Sequence, residues 1–207
     1  MTRSLDYSSI KPKVSIILAS GSESRKLMLE EAGIVFDVII SPTDEDLLKN
    51  KISSLPYSEQ VVHLAKAKAE PVSMQNPESV VIGGDQMCVL DNTLLHKPGS
   101  KDKAIESLKL LVNQKHFQHS GVCIYKNNEC LWEYSETVEL KMHDLTEKEI
   151  INYVDIENPI NAAGAYKFES LGCNLFSYVN GSSHTVRGMP LLPLLNALRD
   201  LKIIDLE

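Results

Sequence analysis

Residues 18–33, LASGSESRKLMLEEAG, are the first place where the chain offers chemistry. An apolar run gives way to a turn of small residues (Ser20, Gly21, Ser22, Ser24). An amphipathic segment follows, with Arg25 and Lys26 in its first turn. A helix N-terminus presents unpaired backbone N–H groups and a partial positive charge, so a strand–turn–helix junction of small residues suits an anion. Cations in that first turn oppose the helix dipole, and a bound polyanion would offset the cost. The competing reading is two solvated surface charges. Neither a Walker loop nor a GxGxxG pattern is present.

Asp85 is the sharpest oddity. It lies between VVIGG and QMCVL, where apolar side chains dominate. An unpaired buried carboxylate is costly, so Asp85 is expected at a cleft near a cation or a basic side chain. Gly83 and Gly84 before it allow close approach of backbone or ligand. Its alternative is an acid at a bulge. In QVVHLAKAKAE, Lys68 follows Val61, Leu64 and Ala65 at helical spacing and extends their apolar face. Such a lysine either snorkels to the rim or meets an acid or phosphate at the core edge. Lys97 precedes Pro98 and so reads as extended loop. Asp44, Glu45 and Asp46 form either a solvated acidic turn or, with Asp85, a set of oxygens for a hard divalent cation. His116 and His119, three apart in a strand, point to opposite faces and make no metal pair.

The elements that must position these residues follow from periodicity. Strands are expected at 14–19 and 35–40, and at 79–90 with an interruption at Gly-Gly-Asp. Ser22 caps a helix that Gly33 stops. Residues 41–46 read as a turn, 58–70 as a helix, 91–100 as a loop and 101–114 as a helix capped by Ser100. Two strands flank the Asn127-Asn128 turn. Thr146 and Glu149 form a capping box. A last strand ends at Asn180-Gly181, and a closing helix spans 190–201 with Pro190 near its start. Alternating strands and helices, then a hairpin, predict an α/β fold with a mixed sheet. Residues 1–13 read as a polar leader and 14–207 as a single domain.

Composition narrows the partners. The 207 residues carry a net charge of −7, which argues against nucleic acid or an anionic membrane surface as a partner. Any phosphate site must be a local basic pocket. No apolar run approaches a membrane span, and the N-terminus lacks the apolar core of a signal peptide. The four cysteines show no CxxC spacing, and three lie in strand-like runs where a reduced thiol is the default. A cytoplasmic protein is the expectation.

The ordered set LASGSESRKLMLEEAG, DE (44–45), LAKAKA (64–69), IGGDQMCVL (82–90), KP (97–98), HSGVCI (119–124) and AGAYKFESLG (163–172) resembles the Maf family of nucleoside triphosphate pyrophosphatases. The resemblance covers nearly the whole chain after residue 13. It implies an elongated two-lobed α/β fold, like that of inosine triphosphate pyrophosphatases, with a mixed sheet and a central cleft. It also implies hydrolysis of a nucleoside triphosphate to the monophosphate and diphosphate with Mg²⁺ or Mn²⁺, and a possible homodimer. Carried over by position, Ser20, Ser22, Arg25, Lys26, Lys68 and Lys97 would bind phosphates. Glu45 and Asp85 would hold the metal, and Asp85 would take the proton of the attacking water. Glu23 stands where the family usually has Pro, and Ser24 where it has Arg or Trp. Gln86 and Glu169 resemble the subgroup that acts on 7-methyl-GTP, whereas the subgroup acting on dTTP and UTP carries Thr and Gln there. The alternatives are a dTTP/UTP or general house-cleaning pyrophosphatase, or a non-catalytic nucleotide-binding regulator of septum formation.

Overall fold

The computed structural model describes residues 10–206. Its strands are β1 (Ile10–Pro12), β2 (Ile16–Leu18), β3 (Asp37–Val38), β4 (Val80–Leu90), β5 (Thr93–Leu95), β6 (Lys115–Lys126), β7 (Glu129–Met142), β8 (Phe176–Asn180) and β9 (Ile204–Leu206). Its helices are α1 (Glu23–Glu31), α2 (Glu45–Ile52), α3 (Tyr57–Gln75), α4 (Lys101–Leu111), α5 (Glu147–Glu157), α6 (Ser183–Val186) and α7 (Leu191–Asp200). The main sheet runs in the order β3-β2-β4-β6-β7-β8, with β5 paired to β4. β2 is parallel to β3 and β4, while β5 is antiparallel to β4 and β8 to β7. The fold is therefore α/β with a mixed sheet, as the alternation of elements predicts.

The chain divides into two compact units. The first contains residues up to Asp85, then 121–135 and 190 onward; the second contains 86–120 and 136–189. The divisions fall inside β4, β6 and β7. In the first unit, α3 lies on the sheet over a core of Ile17, Ala19, Ala65, Ala69, Val72, Val81 and Cys123. A Cβ at Gly83 would sit 2.2 Å from the Ala65 carbonyl oxygen, and one at Gly121 would sit 2.5 Å from the Val61 carbonyl carbon. Only glycine permits so close a seat for the helix. β1 and β9 form a separate antiparallel pair in this unit. The second unit packs α4 and α5 around Leu108, Leu111, Leu140, Met142, Ile150 and Val154.

Local chemistry explains most boundaries. Ser22, Ser100 and Thr146 cap α1, α4 and α5 through their side chains, and Thr146 with Glu149 completes the capping box. Gly33 follows α1 at φ 73°. Asn127 and Asn128 take φ 48° and 61°, the left-handed pair that a two-residue hairpin loop demands.

Several expectations need correction. The 41–46 turn ends in a helix, because Asp44 accepts the Leu47 N–H and caps α2, with Glu45 and Asp46 in its first turn. α3 runs through Pro71 to Gln75 rather than ending near 70. β4 is continuous through Gly-Gly-Asp. The 91–100 loop begins with a hairpin turn at Asp91-Asn92 (φ 45° and 63°) and contains β5. Finally, β8 is followed by one more strand, β9. Of the expected leader, residues 10–12 form β1 and residues 1–9 lie outside the described residues. Among the described residues, no helix is long and apolar enough to cross a membrane.

Candidate functional site

In the first unit, four elements, β4, α3, α2 and α1, bring four of the expected residues together. Asp85 ends the first unit's part of β4 and is 5% exposed. Lys68, on the sheet-facing side of α3, is 7% exposed and donates to Asp85 Oδ1 at 2.6 Å. The same ammonium lies 2.9 Å from Glu45 Oε1 at the start of α2. Glu45 is brought there from the preceding loop: the Thr43 hydroxyl donates to the Ala67 carbonyl of α3 at 2.6 Å. Lys68 thus bridges two carboxylates, and the glycine-seated helix explains how it reaches them.

Arg25 arrives from α1. Its Nη1–H donates to Ser20 Oγ at 3.0 Å, and its backbone N–H to the capping Ser22 Oγ at 3.4 Å. Ser20 Oγ also accepts the Ser22 N–H at 3.3 Å, which closes the turn. The Arg25 side chain passes close to β4: a Cβ at Gly84 would be 3.1 Å from Arg25 Nε and 3.2 Å from Cδ. Gly84 is a positioning residue that the sequence marks only as part of a Gly-Gly pair. Burial lowers the pKa of Arg25, and the negative charges of Asp85 and Glu45 oppose that shift. Lys26 and Ser24 are half-buried on the same turn of α1.

The charge pattern has a chemical meaning. Three cations, Lys68, Arg25 and Lys49 (3.6 Å from Glu45 Oε2), share one neighbourhood with two carboxylates, and Asp85 Oδ2 is buried without a hydrogen-bond partner among the described residues. A buried carboxylate oxygen left unpaired is costly, and Asp85 Oδ2 therefore has acceptor capacity that a donor or a cation could take up.

The remaining expected residues belong to the second unit. Lys97 is exposed in the loop between β5 and α4. Glu169 is exposed in a turn of the 167–170 segment. Gln86 is half-buried, and its amide Nε2 donates to the carbonyls of Val186 at 2.7 Å and Thr185 at 3.3 Å. The Ser120 hydroxyl donates to the same Thr185 carbonyl at 2.8 Å, and the Thr185 hydroxyl is bonded to Glu136. The 182–189 segment that holds Gln86 was not singled out by sequence. Ser182, which caps α6, is its one local mark. His116 and His119 meet Tyr166 and Thr137 respectively, and share no site.

Residues 15–201 match the Maf-like protein family. The chain belongs to that family. A Legionella pneumophila (strain Philadelphia 1) protein named nucleoside triphosphate pyrophosphatase is 40% identical over 191 residues, covering 92% of this Maf-like chain and 96% of its own. A Rhizobium etli protein named 7-methyl-GTP pyrophosphatase is 37% identical over 195 residues, covering 92% of this chain and 98% of its own. Among solved structures, the Ham1 protein of Staphylococcus aureus matches with a TM-score of 0.36 at 16% identity, covering 63% of this chain and 72% of that one.

The residues of this Maf-like protein suit the divalent cation that the family resemblance implies. Glu45 and Asp85 offer hard carboxylate oxygens, the donors Mg²⁺ and Mn²⁺ prefer. The unpartnered Asp85 Oδ2 is a buried acceptor with capacity to spare. No group of three or more His, Cys, Asp or Glu residues able to hold a metal occurs among the described residues. A cation here would complete its shell with water and substrate phosphate oxygens, as Mg²⁺ commonly does.

Proposed function

We propose that the chain is a nucleoside triphosphate pyrophosphatase that hydrolyses the α–β phosphoanhydride bond, releasing nucleoside monophosphate and diphosphate, with 7-methyl-GTP as its preferred substrate. The observation that carries the reaction class is buried Asp85, which keeps one unpartnered oxygen beside Lys68 and the Ser20–Arg25 turn. The names of the Legionella relatives support the same class.

Each residue then has a role. Ser20 and Ser22 shape the turn, and Arg25 and Lys26 give it positive charge for phosphate oxygens. Arg25 is held in advance by Ser20 and Gly84, so it needs no reorganisation when charge builds on the departing diphosphate. Lys68 supplies further positive charge to the phosphates. Asp85 Oδ2 accepts the proton of the water that attacks the α-phosphorus. Glu45 and Asp85 would hold Mg²⁺ or Mn²⁺, which when bound supplies charge neutralisation on the phosphate oxygens.

The choice of 7-methyl-GTP rests on the second unit and on the Rhizobium relative's name. A Glu carboxylate only accepts hydrogen bonds, whereas guanine N1–H and its exocyclic amine only donate on that edge. The methyl group adds positive charge to the ring, which suits Glu169. Gln86 spends its N–H donors on the two carbonyls, so its Oε1 is the end left to accept. Ser24 offers no ring to stack on a base. Diphosphate release from a panel containing 7-methyl-GTP, GTP, UTP and dTTP with Mg²⁺ or Mn²⁺ tests the proposal. The expected result is highest kcat/KM for 7-methyl-GTP. Saturable nucleotide binding with no diphosphate release would overturn the enzymatic reading.

A further inference from the structure

We infer that Lys68 is the resident cation of the Glu45–Asp85 pair in the free protein, and that the pair admits a divalent cation only together with a polyphosphate that draws the ammonium away, the nucleotide's phosphates filling that part in the reading above, on which this rests. The Lys68 ammonium lies 2.6 Å from Asp85 Oδ1 and 2.9 Å from Glu45 Oε1. It therefore holds the space between the two carboxylates that any bridging cation must take. A divalent cation drawn to the same oxygens would stand within a few ångströms of a buried ammonium. Like charges at that range repel strongly where water is scarce. Arg25, close enough to feel both acids, adds to the repulsion. The bare metal thus finds the site already neutralised.

A polyphosphate changes that balance. Its oxygens accept charge-assisted hydrogen bonds from an ammonium as well as a carboxylate does. Lysine is a point charge on a flexible four-carbon stem with three rotatable donors, so it can change partners without moving its helix. Arg25 cannot follow, because its guanidinium is bonded to Ser20 and lies against the backbone at Gly84. The two cations have separate tasks: Arg25 is the fixed phosphate ligand, and Lys68 is the exchangeable one. Once Lys68 has turned to phosphate, Asp85 Oδ1 and Glu45 Oε1 lose its ammonium and can hold the metal that accompanies the nucleotide, while Glu45 Oε2 keeps Lys49 Nζ at 3.6 Å. Asp85 Oδ2, buried and unpartnered even with Lys68 in place, keeps its capacity for the proton of the attacking water throughout that exchange.

Equilibrium dialysis of Mn²⁺ against the full-length chain tests this without measuring turnover. Lys68→Met and Lys68→Gln should retain Mn²⁺ at least about tenfold more tightly than wild type when no nucleotide is present. Lys68→Arg, which keeps the charge, should retain it as weakly as wild type. Adding Asp85→Asn to Lys68→Met should abolish the gain. Inorganic triphosphate should bring Mn²⁺ onto wild type. Mn²⁺ alone should raise the Tm of Lys68→Met and leave that of wild type unchanged, which serves if the uncharged variants are only marginally folded. Tight Mn²⁺ binding by free wild type, equal to that of Lys68→Met, would overturn the inference, as would a gain that survives Asp85→Asn. Diphosphate release with no gain in Lys68→Met sinks the resident cation alone. A gain reversed by Asp85→Asn, with recruitment by triphosphate but no nucleotide hydrolysed, sinks the enzymatic reading and leaves Lys68 where it is placed here.

Discussion

Each of the two units holds a polar cluster, buried in the first except for Glu45 at its rim, and the two clusters are built on opposite terms. In the first unit the members are charged: Asp85, Lys68, Glu45 and Arg25, with one carboxylate oxygen left unpartnered among the described residues. In the second unit they are neutral. His116 Nε2 and Tyr166 Oη are 3.0 Å apart, and Gln118 Nε2 donates to the same Tyr166 oxygen at 2.7 Å. Burial drops the His116 pKa to about 4, raises that of Tyr166 well above its usual range and pushes the Cys88 thiol up to about 12. No member of that network carries charge at neutral pH. Both clusters leave buried polar atoms without a hydrogen-bond partner among the described residues, Asp85 Oδ2 in the first and His116 Nδ1 and Gln118 Oε1 in the second, so what sets them apart is that carboxylates face cations in the first and neutral groups face one another in the second.

The largest effect should come from Asp85. Asp85→Asn keeps the shape and removes the proton acceptor, so diphosphate release should fall by roughly 10²–10⁴-fold, the span typical of general base removal. Far-UV circular dichroism should stay native. An Asn variant with near-normal turnover would put the first cluster on the same structural footing as the second.

The second cluster should answer to pH. Unfolded histidine titrates near 6.5, but folded His116 near 4. Between those values the unfolded chain binds more protons, so this group favours the native state fully above pH 6.5 and loses that contribution as pH falls toward 4. The full difference is about 3 kcal/mol at one pH unit per 1.4 kcal/mol. His116→Asn should flatten that part of the urea-midpoint profile. A profile of unchanged slope would mean that His116 is charged in the native state.

Tyr166→Phe should cost about 1–3 kcal/mol, because it leaves Gln118 and His116 without the hydroxyl they share. Diphosphate release per folded molecule should stay within about twofold of wild type, since the ring and its packing on Phe176 are kept. A large loss of kcat at unchanged stability would make this network part of the chemistry.

The contrast also explains what the sequence could disclose. Asp85 and Lys68 were conspicuous because each breaks an apolar pattern, one in a strand and one on a helix face. Their pairing was not legible: 17 residues separate them, and their meeting depends on glycines 83 and 121 seating α3 on the sheet. Helix starts set by Ser22 and Thr146, and the hairpin turn at Asn127-Asn128, are local decisions that can be read locally. α2 was missed because its acids looked like a turn, although Asp44 capping and Lys49 and Lys51 in the last turn mark a helix. The Gly-Gly-Asp stretch looked like an interruption because strand propensity counts side chains. In β4 the absent side chains are what the neighbours require. The His116–Gln118–Tyr166 network left little trace, since polar residues alternating along β6 look like a solvent face. Only the intact fold shows that this face is covered.

The smallest expected effect concerns selectivity, which the proposed function places in the second unit while the bond-breaking groups lie in the first. Glu169 is exposed, so its charge is screened by water and salt. Its advantage for a positively charged methylated guanine is correspondingly modest. Glu169→Gln removes the charge and replaces one acceptor with a donor, which suits the carbonyls of uracil better than the N–H groups of guanine. The ratio of kcat/KM for 7-methyl-GTP over UTP should therefore fall by about tenfold, or about 1.4 kcal/mol. The kcat for UTP should hold within about threefold, because no group that touches the phosphates has changed. Raising salt from 50 to 500 mM should shrink the wild-type preference and leave the variant's ratio nearly flat. A ratio untouched by Glu169→Gln would remove Glu169 from base recognition. A wild type that already prefers UTP or dTTP would overturn the substrate while leaving the Asp85 chemistry intact. A kcat for UTP that collapses in the variant would deny the division of labour itself, since an exposed residue of the second unit would then be serving the bond-breaking step.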